Sequence, residues 1–190
     1  MTNVLLAEYR ALVEKKRQLA NEIKKDAQSI LAEGAKALFE EHPVVGSFGW
    51  VQYTPSFNDG EPCEFTKGET FIFSARELEE GDPDEDHKDY EEGGADFSPY
   101  SDRNYETKRL DKTLYRDPDD GALYIWGEDR GWEVVENPNY DPVYGDAKQA
   151  VDAFVDLFDE DLLKSMFGAY GTKITVTREG VDVTEYDCGY

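Results

Sequence analysis

Apolar residues recur at helical spacing from the start of the chain. Leu5, Tyr9, Leu12, Leu19, Ile23, Ile30 and Ala37 follow one another at steps of three, four or seven with charged residues between them, and Pro43 ends the run. The spacing predicts helix over residues 3–41. Lys16 and Asp26 interrupt the stripe. That favours one or two helices lying on the body, with a bend at Gly34, over a long two-stranded coiled coil, while a dimer-forming arm stays open.

From Val44 the period changes to two. Phe48, Trp50, Gln52 and Thr54 fall on one face of a strand, with Gly49, Val51 and Tyr53 on the other, until Pro55 stops it. Asn58-Asp59-Gly60 signals a turn because Asn and Gly tolerate positive φ, and extended structure resumes over 63–65 and 70–74. Residues 77–106 hold 13 Asp/Glu against 2 Lys/Arg and contain the Gly93-Gly94 pair, which reads as an exposed, mobile excursion. Residues 122–126 and 131–135 read as the two strands of a hairpin. Residues 146–167 carry a second amphipathic pattern, with Asp146 as its cap and Gly168 beyond its end. Ile174 and Val176 alternate on one side of the turn at Arg178-Glu179-Gly180, and Val181 and Val183 on the other. Helix, strands, helix and hairpin in that order make an α+β fold, with helices packed on one face of a largely antiparallel sheet.

The expected organisation is a single domain, residues 1–190. It comprises a helical arm (1–42), an aromatic strand-turn-strand block (43–76), the acidic excursion (77–106) and a terminal region of hairpin, helix and hairpin (107–190). Length and the 39% hydrophobic content supply a sizeable core. No run of about 18 apolar residues and no basic-then-apolar leader is present, so the expected location is cytoplasmic, away from the membrane. Cys63 and Cys188 make no disulfide framework; both read as small packed thiols, with one long-range bridge left open.

Charge is unevenly placed. Residues 1–42 hold seven Lys/Arg and seven Asp/Glu, so the net charge of -23 comes entirely from the remainder. Such a body repels nucleic acid and anionic membrane and attracts basic protein surfaces. Catalytic signatures are weak: His42 and His87 sit in no triad-like context, and Cys63 between Glu61 and Glu64 is discouraged from ionising. Asp82, Asp84 and Asp86 alternate like the first ligands of a calcium loop, but His87 occupies the place of the turn glycine. In the segment starting at Asp117, Gly121 comes one residue early for the same motif. No glycine-rich phosphate loop occurs. We therefore assign no catalytic residue, metal ligand or cofactor. Trp50, Tyr53, Phe57, Trp126 and Trp132 read mainly as core, any exposed member being suited to a protein contact.

The block Trp50-Val-Gln-Tyr-Thr-Pro-Ser-Phe-Asn-Asp-Gly-Glu-Pro-Cys-Glu-Phe65, with Val181-Asp-Val-Thr-Glu-Tyr-Asp187 and the helical N-terminus, resembles small proteins of unassigned function from tailed bacteriophages and related bacterial sequences. The resemblance implies a phage-encoded accessory protein and carries no catalytic residues. Combined with the charge, it gives the leading expectation of a non-enzymatic, DNA-mimic-like inhibitor of a host defence or nucleic-acid-handling protein. The candidate partner-binding carboxylates are Asp84, Glu85, Asp86, Asp89, Glu91, Glu92, Asp119 and Asp120. The expected partner is a basic host protein, met in the host cytoplasm, with no direct nucleic-acid or membrane contact. Gln52, Tyr53, Asn58, Asp59 and Glu61 form a second candidate surface. They underlie the alternative of an enzyme or small-ligand binder, with Asp59 and Glu61 as acid and base. A homo-oligomer built through the N-terminal helix is the third reading.

Overall fold

The computed structural model describes residues 2–55, 63–80, 93–98, 108–127 and 130–186. Helix α1 (Thr2–Glu41) leads into β1 (Val45–Tyr53), β2 (Thr66–Lys67), β3 (Phe71–Ser74) and the short α2 (Ala75–Glu80). Then come β4 (Thr113–Arg116), β5 (Leu123–Tyr124), β6 (Glu133–Glu136), α3 (Pro142–Val155), α4 (Glu160–Phe167), β7 (Thr172–Thr177) and β8 (Val181–Glu185). The fold is α+β, and every strand pairing described is antiparallel.

β1 is the centre of the larger sheet, flanked by β2 and β3 on one edge and by β7 and then β8 on the other. The expected alternation along β1 holds, but Val45–Gln52 are buried on both faces because the strand is central. One face carries Phe48, Trp50 and Gln52 against the helices. Phe48 lies between Phe39 of α1 (5.6 Å between ring centroids) and Phe154 of α3 (6.1 Å), and Trp50 meets Phe167 edge-on at 5.9 Å. Such tilted and edge-on pairs put positive ring edges on negative ring faces. Val45, Val151, Val155, Leu163, Ile174 and Val176 complete the core.

Helix α1 departs from expectation in how little of it lies on the body. It is a single helix of 40 residues, about 60 Å long at 1.5 Å per residue. Gly34 does not interrupt the helix; its missing side chain admits the Phe154 ring, since a Cβ there would clash with that ring. Only the last third of the helix docks, through Ala27, Leu31, Ala35, Leu38 and Phe39. The stripe that predicted the helix, Leu5 through Ile30 and Ala37, is exposed along its whole length. Helical periodicity identifies a face without saying which neighbour covers it.

Three further expectations are corrected. Residues 77–106 are not one excursion: 75–80 are helical, and 93–98 return to the core, with Gly94 N–H donating to Ile72 O (2.9 Å) and Asp96, Phe97 and Ser98 buried. The intervening acidic residues lie outside the described ones, as does Asn58-Asp59-Gly60. The expected hairpin of 122–126 with 131–135 does not form, because β4 inserts between β5 and β6 and pairs with both. The helix expected over 146–167 is two helices with different caps. Asp141 accepts from Val143 N–H ahead of α3, whose first residue is Pro142, and Asp159 accepts from Leu162 N–H ahead of α4. Cap chemistry overrides a continuous apolar pattern here. Asp146 instead sits inside α3, bonded to the Tyr140 hydroxyl and the Lys112 ammonium. Gly168 does end the second helix, at φ 94°, and the terminal hairpin β7–β8 forms, setting Ile174 opposite Val183 and Val176 opposite Val181.

Candidate partner-binding surface

The smaller sheet builds the best-defined exposed surface. Along β4, Thr113-Leu-Tyr-Arg116 alternates, so Leu114 turns inward and is fully buried while Tyr115 turns outward. Tyr115 stands opposite Tyr124 of β5 and Val134 of β6, which places all three on one face. Trp132, two residues before Val134, lies tilted against Tyr124 with ring centroids 4.8 Å apart, and the Arg130 guanidinium lies 5.1 Å from the centre of the Trp132 ring. Trp126 is 54% exposed and Val134 56%. An aromatic plate of this kind, with Tyr115 and Trp132 half-buried and Tyr124, Trp126 and Val134 exposed, is suited to a protein contact.

Carboxylates edge the plate. At the end of β4 the chain turns through Asp117–Gly121, closed by Gly121 N–H donating to Asp117 O at 2.8 Å. Asp117 and Asp120 turn their carboxylates onto the backbone N–H groups of Asp119 and Ala122, both at 2.8 Å. This is Asx-turn geometry, which explains the cluster of Asp without calling on a metal. Asp119 and Asp120 are exposed, so the turn also presents negative charge at the end of the sheet where β4 runs into β5. Among the described residues no group of three or more His, Cys, Asp or Glu is arranged to hold a metal ion.

The sheet is tied down from behind. The Asn137 side-chain amide donates to Lys108 O and Asp111 O, and Asn137 N–H donates to Lys112 O (2.9 Å). The Lys112 ammonium meets Asp146 at 2.5 Å. Lys112 and the Tyr140 hydroxyl hold the Asp146 carboxyl below its usual range. Burial and the same carboxylate push the Tyr140 phenol up.

A second cluster surrounds Asp96, which is buried. Its carboxylate accepts from the Ser74 hydroxyl (2.7 Å), Arg76 (2.8 Å) and Arg109 (3.1 Å). Glu77 accepts from the N–H groups of Ser74 (2.8 Å) and Asp96 (2.9 Å). Burial alone would raise the Asp96 carboxyl, but the Ser74, Arg76 and Arg109 donors outweigh it and hold the group at about 2. Arg109 also lies 4.2 Å over the Tyr144 ring of α3. These contacts fasten residues 93–98 to β3, α2 and α3. They are a structural clamp.

Of the sequence candidates, Asp119 and Asp120 lie on the aromatic plate's edge. Asp84, Glu85, Asp86, Asp89, Glu91 and Glu92 are outside the described residues, as are Asn58, Asp59, Glu61, Phe57 and His87. Gln52 does not reach a surface: it is fully buried, accepting from Trp50 Nε1 (3.1 Å) and donating to Gly168 O and Leu163 O. Tyr53 is half-buried, its ring 6.5 Å from that of Tyr186. Cys63 is exposed, contrary to the expected packed thiol, because it precedes the two-residue β2 on the sheet's edge. An open depression of about 420 Å³ between α1, α4 and β8 is lined by residues such as Gln28, Leu31, Met166 and Val183 and holds no titratable group. Tyr115, Tyr124 and Val134 escaped the sequence reading. Tyr124 and Val134 fall within the expected strands 122–126 and 131–135, but nothing in the sequence shows that Tyr115 of β4 stands between them.

Comparison of the chain with protein-family models, with curated proteins and with solved structures finds no match. No helix described is long and apolar enough to cross a membrane.

Proposed function

We propose that this is a non-enzymatic, phage-encoded accessory protein that binds a basic host protein, of a defence or nucleic-acid-handling kind, in the host cytoplasm, and blocks it by imitating a polyanion. The observation that carries the reading is the solvent-open aromatic plate of the smaller sheet, edged by Asp119 and Asp120, on a body that holds all of the -23 charge. Carboxylates speed the encounter with a basic groove, and aromatic side chains at the centre of the contact supply the energy that holds it. The phage origin rests on the resemblance of the Trp50–Phe65 block, and the host target on the sign of the charge.

The test is kinetic. A partner captured from bacterial lysate is measured for association and dissociation at low and high salt, with duplex DNA as competitor. Association should slow as salt rises, since exposed charges more than about 8 Å apart are screened at physiological ionic strength. Changing Asp84, Asp86, Asp89, Asp119 and Asp120 to Asn and Glu85 to Gln should slow association. Trp126→Ala should speed dissociation. A rate independent of salt and of these charges refutes polyanion mimicry and favours the small-ligand alternative.

A further inference from the structure

The exposed stripe of α1 is a heptad seam. Its positions, at alternating steps of four and three from Leu5, are Leu5, Tyr9, Leu12, Lys16, Leu19, Ile23, Asp26, Ile30, Glu33 and Ala37. All ten are exposed. Four and three alternate as the a and d positions of a coiled coil do, the spacing that lets one helix lie along another. At 3.6 residues per turn the seam lies about a third of a turn around the helix from the docked face at Ala27, Leu31, Ala35 and Leu38. A second helix on the seam therefore meets no part of this chain's own core-facing side.

We propose that the seam pairs with the same seam of a second copy, antiparallel, in the register that sets Lys16 against the partner's Asp26. Charge selects this occupant and this direction. In a parallel, in-register pair Lys16 would face the partner's Lys16, Asp26 the partner's Asp26 and Glu33 the partner's Glu33, each a like-charge contact in the seam. In the antiparallel register Leu19 packs on the partner's Ile23 and Leu12 on the partner's Ile30. Leu5 meets the partner's Ala37, and the Tyr9 hydroxyl meets the partner's Glu33. The two residues that break the apolar stripe then answer each other, twice by symmetry. Shifting the pairing by one heptad sets Asp26 against Tyr9, or against Ile23 with Lys16 then facing the partner's Glu33; either shift leaves Asp26 against an uncharged residue and shortens the overlap by a heptad. A polar residue in the seam that fixes register at some cost in stability is a known device.

Exposed residues beside the seam fit the same arrangement. Leu6 and Val13, both exposed, flank it on the side of the docked face. The paired helix covers part of this flank as well, and it leaves the smaller sheet, remote in sequence from the arm, to act separately.

Sedimentation equilibrium with circular dichroism tests this. Wild type should be dimeric at micromolar concentration, and deletion of residues 1–20 should give a folded monomer. Lys16→Glu and Asp26→Lys should each weaken the dimer at least about tenfold, and the double variant should recover to within about threefold of wild type. A parallel dimer predicts no weakening from either single change, because like charges still face each other. In a Cys63→Ser, Cys188→Ser background, oxidation should link Leu19→Cys to Ile23→Cys in a mixture and leave Leu19→Cys alone unlinked. A wild-type monomer, absent rescue by the double variant, or ready self-linking of Leu19→Cys each overturns the proposal.

Discussion

Replacing Gln52 with leucine should destabilise the body by about 2–4 kcal/mol without touching any exposed residue. The amide is fully buried and serves three groups: it accepts from Trp50 Nε1 and donates to Gly168 O and Leu163 O. Leucine of similar volume fills the space but satisfies none of them. The Leu163 carbonyl keeps its place in the α4 ladder, so two groups lose a partner, the Trp50 N–H and the Gly168 carbonyl. Each orphaned buried group costs about 1–3 kcal/mol, and the better burial of a leucine offsets part of the sum. Urea unfolding followed by far-ultraviolet circular dichroism measures the loss as a lower midpoint at unchanged slope. Trp50→Phe supplies the other corner of a double-mutant cycle, since it orphans Gln52 Oε1 instead. The double variant should be more stable than the sum of the two losses implies, by at least about 1 kcal/mol. Wild-type stability in Gln52→Leu to within about 0.5 kcal/mol, or strict additivity in the cycle, would refute the claim that this residue is internal mortar and return it to the candidate surface.

Two further outcomes follow from the core. Asp96 has a folded-state value near 2, below the usual 3.8, so its contribution is present above the unfolded value and is lost as pH falls from about 4 to 2. It amounts to something on the order of 2 kcal/mol; acid titration of stability should be shallower in Asp96→Asn, which already lacks it at neutral pH, and parallel curves would count against the clamp. Gly49→Ala should cost at least about 2 kcal/mol in chemical unfolding, because the added Cβ would fall 2.0 Å from Ile174 O and 2.5 Å from the Phe71 ring; a tolerated alanine would mean that β1 and β7 lie further apart than described.

Local chemistry determined a good deal of this protein from the sequence alone. The helix over 3–41, the strand ended by Pro55, the stop at Gly168 and the β7–β8 hairpin all follow from spacing, proline, glycine and turn residues acting within a few positions. So does the α+β class, which needs only the order of those elements. Where the sequence misled, the deciding contact was a cap hidden inside an apolar run or a partner far away in the chain. The 146–167 pattern is continuous, yet Asp159 restarts the helix; β4 slips between two strands that read as partners; and acidic residues around Gly93-Gly94 conceal an Asp96 whose charge is balanced by Arg76 and Arg109 from elsewhere in the chain. Gln52 is the same case, since its partners Leu163 and Gly168 lie more than a hundred residues away. The seam of α1 shows the division most clearly. Periodicity alone establishes that one face is apolar, but the body docks on a different face, through Ala27, Leu31, Ala35 and Leu38, and leaves the seam exposed, which only the packed chain decides.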